Sequence, residues 1–305
     1  MDKCVSVTKR FPRVILATAC LPWRMDWSLD EDRFRKEVHF LAEHFSRTLY
    51  IFGTAGEGYA VNREQFMQVV RVFHQACKEA GAHPMVGLIN LSLSEIQKRI
   101  EFCLEQGLGA FQLSFPSWGT LNDEEVLLFF EETCGRYPEA IFLHYNLKRV
   151  GRRLEATHYA EISRKHANLV AVKHTNDSNE RLKELVEAAP ELRFFVGDRQ
   201  FCEMRDELDI GLLPSIGMVV AEKTRAIFEG ADFDRTRHLE NLATASRAVH
   251  QAADARGAHI DGCYDKHFYK FHDRDFPLRL LPPYSYCTEE QFEGFVERLP
   301  EEWKQ

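Results

Sequence analysis

The sequence predicts a (β/α)8 TIM barrel of the α/β class, with additional C-terminal helices. Short apolar runs alternate with longer amphipathic segments, eight such apolar runs occur, and no linker or low-complexity tract separates them. Strands that alternate with helices of roughly 10 to 15 residues indicate right-handed βαβ units around a parallel sheet. Eight units favour a closed barrel over an open doubly wound sheet, and α/β barrels of this size commonly form one domain.

The elements follow from periodicity and from capping residues. Strands are predicted over residues 14–20, 48–53, 84–89, 110–115, 140–146, 169–175, 193–198 and 211–216. Helices with apolar residues at three- and four-residue spacing are predicted over 31–45, 63–80, 93–106 and 123–136. Asn62 should cap the second helix, Ser92 should form a capping box with Glu95, and Gly81 and Gly107 should end helices. Residues 1–230 are therefore predicted to form the barrel, and residues 231–305 a helical extension packed on it.

Composition excludes several classes of protein. The net charge is −8 and the basic residues are scattered, whereas a nucleic-acid-binding protein concentrates them on one face. No stretch approaches the ~18 apolar residues of a membrane span, and the run 14–20 is interpreted as a strand rather than a signal sequence. Eight cysteines without a Cys-x-x-Cys pair indicate buried thiols in a reducing compartment. We expect a cytoplasmic protein that binds neither nucleic acid nor membranes.

The active site of a (β/α)8 barrel lies at the C-terminal ends of its strands. Here the second strand runs into Gly53-Thr54-Ala55-Gly56-Glu57-Gly58, and the seventh into Gly197-Asp198. The fifth ends in His144-Tyr145-Asn146, and the sixth in Lys173-His174-Thr175.

Lys173 follows the apolar run 169–172, which is typical of a central strand buried on both faces. Burial favours the neutral amine, which is the nucleophile that attacks a ketone to form an imine. The alternative is a lysine whose stem packs in the strand while its ammonium group reaches water.

Tyr145 ends the adjacent strand, so its phenol is expected near the Lys173 amine. Imine formation and carbon–carbon cleavage both move protons on and off oxygen, and a tyrosine within hydrogen-bond reach can carry them. A packed aromatic side chain with a satisfied hydroxyl is the alternative for Tyr145.

The loop from Gly53 to Gly58 precedes a helix and presents backbone N–H groups, an arrangement that can hold a carboxylate. Its spacing is G-x-x-G-x-G, which differs from the G-x-G-x-x-G of dinucleotide-binding folds. A tight turn without a binding role remains the alternative.

Metal and serine-hydrolase chemistry are not favoured. The best metal set at strand ends is His144, His174 and Asp198, but side chains alternate along a strand. If Tyr145 and Lys173 point inward, both histidines point towards the helices. His267, His272 and Asp273 lie outside the barrel strands, and no G-x-S-x-G elbow occurs. We expect no metal at the active site and no cofactor.

The strand-end motifs resemble those of the dihydrodipicolinate synthase/N-acetylneuraminate lyase family, in the class I aldolase superfamily. The motifs are Gly53-Thr54-Ala55-Gly56-Glu57, Tyr145-Asn146 and Val172-Lys173, and the similarity extends through Gly197-Asp198, the segment 211–218 and Leu281-Pro282-Pro283. The resemblance implies that Lys173 forms an imine with pyruvate or a related 2-keto acid, that Tyr145 carries protons, and that Thr54 relays protons to Tyr145.

The same resemblance implies the groups that bind the substrate. The backbone N–H groups of Thr54 and Ala55, in the loop that begins with Gly53, would hold the keto-acid carboxylate. Leu213 stands where a strand-eight carbonyl faces the site, and Arg149 where an arginine binds the second substrate. Family members commonly form homotetramers built from dimers, so we expect a homo-oligomer, either a dimer or a tetramer.

The sequence departs from the family pattern at three places. Ala55 replaces a second hydroxyl residue, which removes one side-chain contact to the carboxylate. Trp118 stands where many members donate a tyrosine across the dimer interface, and an indole N–H donates a hydrogen bond without passing a proton on. The segment after Asn146 also lacks the usual proline and is one residue shorter.

The sequence therefore predicts a Schiff-base-forming lyase or aldolase of the dihydrodipicolinate synthase type. Its substrate would be pyruvate or a sugar-derived 2-keto acid, in aldol cleavage, condensation or dehydration. The departures argue against lysine-biosynthetic condensation. Two alternatives stay open: a catalytically silent or regulatory member that binds a keto acid or a protein partner, and a barrel enzyme with other chemistry.

Overall fold

The computed structural model describes residues 8–175, 177–255 and 257–304. Eight strands are hydrogen-bonded in chain order in one sheet: β1 (Leu16–Thr18), β2 (Thr48–Ile51), β3 (His83–Gly87), β4 (Ala110–Leu113), β5 (Ile141–Asn146), β6 (Leu169–His174), β7 (Arg193–Val196) and β8 (Gly211–Leu212). The helices are α1 (Glu31–His44), α2 (Arg63–Ala80), α3 (Leu93–Glu105), α4 (Asp123–Phe130), α5 (Ala156–Lys165), α6 (Asn179–Ala188), α7 (Asp198–Met204), α8 (Ala221–Glu229), α9 (Arg235–Asp254), α10 (Asp261–His272) and α11 (Glu289–Glu297). The predicted (β/α)8 barrel with C-terminal helices is confirmed.

All eight predicted strands exist, and all eight are shorter than predicted. The second strand stops at Ile51 because Phe52 adopts a left-handed φ of 63°. The eighth has two residues, Gly211 and Leu212, instead of the predicted six. Pro214 has no N–H to donate to a strand ladder, and a 3-10 helix follows over Ile216–Val220.

Two helix ends differ from the prediction. The fourth helix leaves the α conformation after Phe130 and continues as a π turn over Glu131–Gly135. Ser92 caps α3 by accepting from the Glu95 N–H, but its own N–H donates to the Asn90 side chain, so the predicted reciprocal box is wrong. The predicted cap at Asn62 and the predicted end at Gly81 are confirmed; Asn62 forms a capping box with Gln65, and Gly81 is left-handed.

The chain divides into two compact units, one formed by Met1–Val14 and Leu88–Gly211 and the other by Ile15–Gly87 and Leu212–Gln305. Helix α8 ends at Glu229, and Gly230 caps it in the left-handed conformation. The predicted division into a barrel over 1–230 and an extension over 231–305 stays a prediction.

Unit 1 contains β4 to β7 and helices α3 to α7. Strands β4 to β7 pair in parallel. The side of β5 that faces the helices is packed with aromatic rings, among them Phe115, Phe130 and Tyr159 around His144. Arg10, ahead of the strands, donates to the carbonyls of Ser163 and His166 at the end of α5.

Unit 2 contains β1 to β3 and Leu212 of β8, with α1, α2 and α8 to α11. β1, β2 and β3 pair in parallel, and Ile15 forms a parallel bridge with Leu212 of β8. Phe34 of α1 stacks on Phe73 of α2. β2, whose C-terminal end leads into the glycine-rich loop, is therefore paired on both sides by β1 and β3.

The described helices include none that is long and apolar enough to cross a membrane. The seven cysteines at described positions are buried and form no disulfide with one another, and Cys4 lies outside the described residues. The cytoplasmic location stays a prediction.

Candidate active site

Lys173 and Tyr145 are register partners on neighbouring strands. β5 and β6 run parallel, and Tyr145 lies directly beside Lys173 in the ladder. Because side chains alternate between the two faces of a sheet, partners in register project from the same face. Lys173 is buried, with 3% of its surface exposed, and Tyr145 is half-buried. The structure thus brings together the two residues that the sequence singled out as nucleophile and proton carrier.

His144 identifies the face that Tyr145 and Lys173 occupy. The His144 Nδ1 lies 2.8 Å from the Tyr159 hydroxyl on α5, and its ring packs 5.3 Å from that of Phe130 on α4. The alternation along β5 therefore directs Tyr145 away from these helices, towards the inner face of the sheet. Burial lowers the pKa of His144 to about 3, so the imidazole is neutral and belongs to the packing between strand and helices.

His174 and Asp198 are the other two members of the best metal-ligand set at the strand ends, together with His144. The His174 Nε2 lies 3.5 Å from Asp177 Oδ2 in the loop after β6, and burial lowers the pKa of His174 to about 4. Asp198 opens α7. In the parts of the chain that the structure describes, the three metal-ligand side chains that do converge are Cys263, His267 and Cys287, all in unit 2.

The loop after β5 is closed at its base by Asn146. The Asn146 amide donates to the Leu154 carbonyl at 3.0 Å and accepts from the Leu154 N–H at 2.8 Å. Between them lies a 3-10 turn over Lys148–Val150, and Arg149 is exposed on it. Asn146 therefore fixes the loop that carries Arg149.

Arg153 ties the loops after β5 and β6 together. Its guanidinium donates to the Thr175 carbonyl at 2.5 Å and pairs with Asp177 at 2.8 Å. These partners follow the Lys173 strand, so Arg153 braces the two strand ends that carry Tyr145 and Lys173. The sequence does not indicate this role of Arg153. Several arginines lie in the run from Arg149 to Arg153, and the partners of Arg153 lie more than 20 residues further along the chain.

The glycine-rich loop in unit 2 has a compact backbone that only small residues permit. A Cβ added at Gly58 would lie 2.2 Å from the Phe52 carbonyl oxygen, and one at Gly87 would lie 2.3 Å from it. Two turn bonds close the loop, from Glu57 N–H to the Thr54 carbonyl and from Gly58 N–H to the Gly53 carbonyl. Neither bond uses the N–H groups of Thr54 and Ala55, the two predicted carboxylate donors.

Within this loop Gly53 and Thr54 are buried and Ala55 is half-buried. A Cβ at Gly53 would lie 2.5 Å from the Tyr50 hydroxyl oxygen. The Ala55 carbonyl accepts a contact from the Cys20 thiol at 3.8 Å. The backbone of the predicted anion-binding turn is therefore packed against Tyr50 and Cys20.

Glu57 anchors the loop through its side chain, a role that the sequence analysis did not predict. The Glu57 carboxylate accepts from the Trp23 indole at 2.9 Å and from the Leu281 N–H at 2.7 Å. It also forms an ion pair with Lys266 of α10, at 2.6 Å, and both side chains are fully buried. The position of Glu57 close to Gly53 in the sequence indicates a role in this loop. Its partners could not be predicted, because they lie 34 residues before it and more than 200 after it.

The remaining two predicted site residues, Leu213 and Trp118, differ in their exposure to solvent. Leu213 is half-buried one residue beyond β8, so its carbonyl is just outside the strand rather than on it. Trp118 lies between β4 and α4, and 92% of its surface is exposed in the single chain. The roles of all eight predicted site residues stay predictions.

The sequence matches the family model described as the dihydrodipicolinate synthetase family over residues 11–251. The chain belongs to this family. Among the relatives that it resembles, a 4-hydroxy-tetrahydrodipicolinate synthase of Methanothrix thermoacetophila is 26% identical over 61% of this chain and 60% of that protein. An N-acetylneuraminate lyase of Lactiplantibacillus plantarum is 21% identical over 64% of this chain and 67% of that protein.

The fold matches over a longer span than the sequence. A crystal structure of the dihydrodipicolinate synthase of Cyanidioschyzon merolae, with lysine bound, superposes with a TM-score of 0.80 at 17% identity, and covers 95% of this chain and 98% of that chain. By sequence, the matches to the first curated relatives span about three fifths of their length. The family and its barrel fold are therefore established.

Proposed function

We propose that this chain is a lyase of the class I aldolase type in which Lys173 forms a Schiff base with a 2-keto acid such as pyruvate. The observation that carries the proposal is the register pairing of Lys173 with Tyr145 at the ends of β5 and β6. The burial of Lys173 supports it, since burial favours the neutral amine over the ammonium ion. Membership of a family whose relatives include a lyase supports the reaction class.

Imine formation in this proposal uses only groups of this chain. The Lys173 amine attacks the keto carbon, and the Tyr145 phenol supplies a proton to the departing oxygen, which leaves as water. The Tyr145 phenolate then takes the proton of the substrate hydroxyl next to the breaking carbon–carbon bond, and that oxygen becomes the carbonyl of the released aldehyde. The protonated imine accepts the electron pair of the broken bond and becomes an enamine. Protonation of the enamine and hydrolysis of the imine release the keto acid and regenerate Lys173.

Binding of the keto acid is assigned to the loop after β2. We assign the substrate carboxylate to the N–H groups of Thr54 and Ala55, which the turn bonds of the loop do not use. Gly53 gives the loop its close approach to Tyr50, and the Thr54 hydroxyl relays protons to Tyr145. The Leu213 carbonyl borders the same substrate, and Arg149 receives the acidic group of the second substrate or product.

Ala55 and Trp118 set the limits of the substrate class. Ala55 lacks the hydroxyl of its family equivalents, and Trp118 cannot pass on a proton as a tyrosine does. We therefore favour aldol cleavage or dehydration of a sugar-derived 2-keto acid over condensation in lysine biosynthesis. A silent member that binds a keto acid without turnover is the second candidate, and the same two residues motivate it.

Trapping the imine tests the proposal. The protein is incubated with pyruvate, reduced with borohydride, and digested, and the peptide that contains Lys173 is examined for the added mass. Lys266 is an internal control, because its buried ammonium group is held in an ion pair with Glu57, and it should stay unmodified. Lys173→Ala should abolish the adduct.

No adduct with pyruvate or with any of several other 2-keto acids would refute the Schiff base. An adduct without turnover of any aldol substrate would favour the silent candidate. The two outcomes are separated by assaying the same preparation for release of keto acid.

The expected homo-oligomer is part of the proposal. Trp118 is the most exposed large apolar side chain among the described residues, and exposed aromatic residues are enriched in interfaces. We propose that a second copy of the chain covers Trp118 in a dimer or tetramer. Sedimentation velocity should show an oligomer that Trp118→Ser weakens, whereas a monomeric wild-type protein would contradict the proposal.

A further inference from the structure

A cluster of soft ligands lies in unit 2, in the C-terminal helices. Cys263 and His267 are four residues apart on α10 and share one face of that helix. Cys287 lies just before α11. The two sulfur atoms are 3.4 Å apart, and the ligand atoms of all three residues lie within 4.8 Å of one another. All three side chains are buried.

The tautomer of His267 leaves one nitrogen available as a ligand. The Nδ1 atom lies 2.8 Å from the Cys263 carbonyl oxygen, and because a carbonyl only accepts, Nδ1 carries the hydrogen. The Nε2 atom is buried and has no hydrogen-bond partner among the described residues. An unsatisfied buried acceptor destabilises the folded chain, and a bound cation would satisfy it. A ring that donates from one nitrogen to a carbonyl is also the usual arrangement of a metal-binding histidine.

We propose that Cys263, His267 and Cys287 bind a thiophilic divalent cation, with Zn²⁺ as the best match. Bond lengths of about 2.3 Å to sulfur and about 2.0–2.1 Å to nitrogen place tetrahedral ligand atoms roughly 3.5–3.8 Å apart, close to the observed spacing of the sulfurs. Thiolate and imidazole ligands select zinc over magnesium or calcium. The position is distinct from the Schiff-base site, and this proposal does not depend on that one.

Charge balance favours a divalent ion at this buried position. Binding releases the two thiol protons, and two thiolates, one neutral imidazole and a divalent cation carry no net charge, which avoids the cost of burying an uncompensated ion. Three protein ligands leave one tetrahedral position for a small ligand such as water. The nearby cations Lys266 and Lys270 already pair with Glu57 and Glu289.

The position of the cluster gives the ion a structural task. A Cβ at Gly262 would lie 3.2 Å from the Ala55 carbonyl oxygen, and Lys266 pairs with Glu57, so α10 packs directly under the glycine-rich loop. Glu57 also bonds the Leu281 N–H, in the segment that leads to Cys287. The ion would therefore join α10 to the segment after Leu281, the same two segments that the Glu57 side chain bonds to the loop.

Metal analysis of the full chain tests the site. The protein is purified under reducing conditions, loaded with Zn²⁺ and separated from excess ion by gel filtration. Its metal content is then measured by inductively coupled plasma mass spectrometry. We expect one zinc per chain. Cys263→Ser, His267→Gln and Cys287→Ser should each lower zinc affinity about tenfold or more, by analogy with the size of ligand-shell effects. Cys77→Ser, at another fully buried cysteine, should retain the metal.

A second measurement uses the wild-type chain alone, in case the variants fail to fold. Bound Zn²⁺ should protect Cys263 and Cys287 from alkylation, and Co²⁺ should give sulfur-to-metal charge-transfer bands. The proposal is overturned if the reduced wild-type protein retains no stoichiometric zinc, or if both thiols alkylate equally with and without the ion. Isolation of a Cys263–Cys287 disulfide, two hydrogens lighter, that persists under reducing conditions would also overturn it.

Discussion

The buried ion pair under the glycine-rich loop gives the sharpest stability prediction. Glu57→Gln keeps the shape of the side chain and removes its charge. The carboxylate has three partners: the Lys266 ammonium at 2.6 Å, the Leu281 N–H at 2.7 Å and the Trp23 indole at 2.9 Å. All three are donors, so the amide NH2 of Gln must face at least one of them. The substitution thus leaves a fully buried ammonium group without its counter-charge.

The magnitude follows from the burial of both partners. Removing one partner of a buried ion pair costs about 3–5 kcal/mol, because the other charge stays buried and uncompensated. We therefore expect Glu57→Gln to lower the free energy of unfolding by about 4 kcal/mol. Glu161→Gln is the matched control, since its pair with Lys165 is exposed and should contribute less than about 1 kcal/mol.

Urea unfolding, followed by circular dichroism and tryptophan fluorescence, measures both variants. The double variant Glu57→Gln/Lys266→Met should lose less stability than the sum of the two single variants, because it removes the uncompensated charge. If Glu57→Gln were no more destabilising than Glu161→Gln, the ion pair would not anchor the loop. Additive single variants would refute the coupling between Glu57 and Lys266.

Three further predictions follow from the same structure. Tyr145→Phe should leave the fold intact and slow imine formation or cleavage by roughly 10²-fold or more, measured as the rate of borohydride-trapped adduct and of turnover; unchanged rates would remove Tyr145 from the mechanism. Gly58→Ala should destabilise the chain by about 1–3 kcal/mol, since its Cβ meets the Phe52 carbonyl at 2.2 Å, whereas Gly119→Ala, with no atom within 4 Å of its Cβ, should cost far less. Burial lowers the pKa of His144 from 6.5 to about 3, so the unfolded state binds a proton that the folded state does not, and the free energy of unfolding falls as the pH drops from 6.5 towards 3. His144→Gln should reduce the slope of that fall by about 1.4 kcal/mol per pH unit, measured by unfolding at a series of pH values. An unchanged slope would contradict a neutral His144.

The fold was predictable because its local signals and its overall pattern agree. Helix α2 has the predicted bounds, since Asn62 and Gly81 mark its two ends in the sequence. The strand ends were harder to predict. The apolar character of Phe52 continues the pattern of β2, but its left-handed backbone is set by the loop that follows, and no residue preference of phenylalanine indicates it. A turn imposed by later residues therefore overrides the local apolar pattern.

The site was predictable where it depends on strand order, and not where it depends on distant segments. Tyr145 and Lys173 end consecutive strands, so the parallel sheet alone makes them neighbours. The partners of Arg153 and Glu57 could not be found in this way. Their bonds reach loops and helices whose positions depend on the packing of the whole chain, and the residues around them carry no periodic signal.

The support of the glycine-rich loop changes the meaning of Ala55. From the sequence, the missing hydroxyl at this position removes one side-chain contact to the carboxylate, and together with Trp118 it motivates the catalytically silent candidate. In the structure, the loop is held by the Glu57 carboxylate, by two turn bonds and by the close approach of Gly58 to Phe52, and none of these uses the side chain at position 55. The loss of a hydroxyl at Ala55 therefore removes one contact to a bound carboxylate but leaves the backbone N–H groups where they are. This favours a change of substrate or affinity over a loss of keto-acid binding.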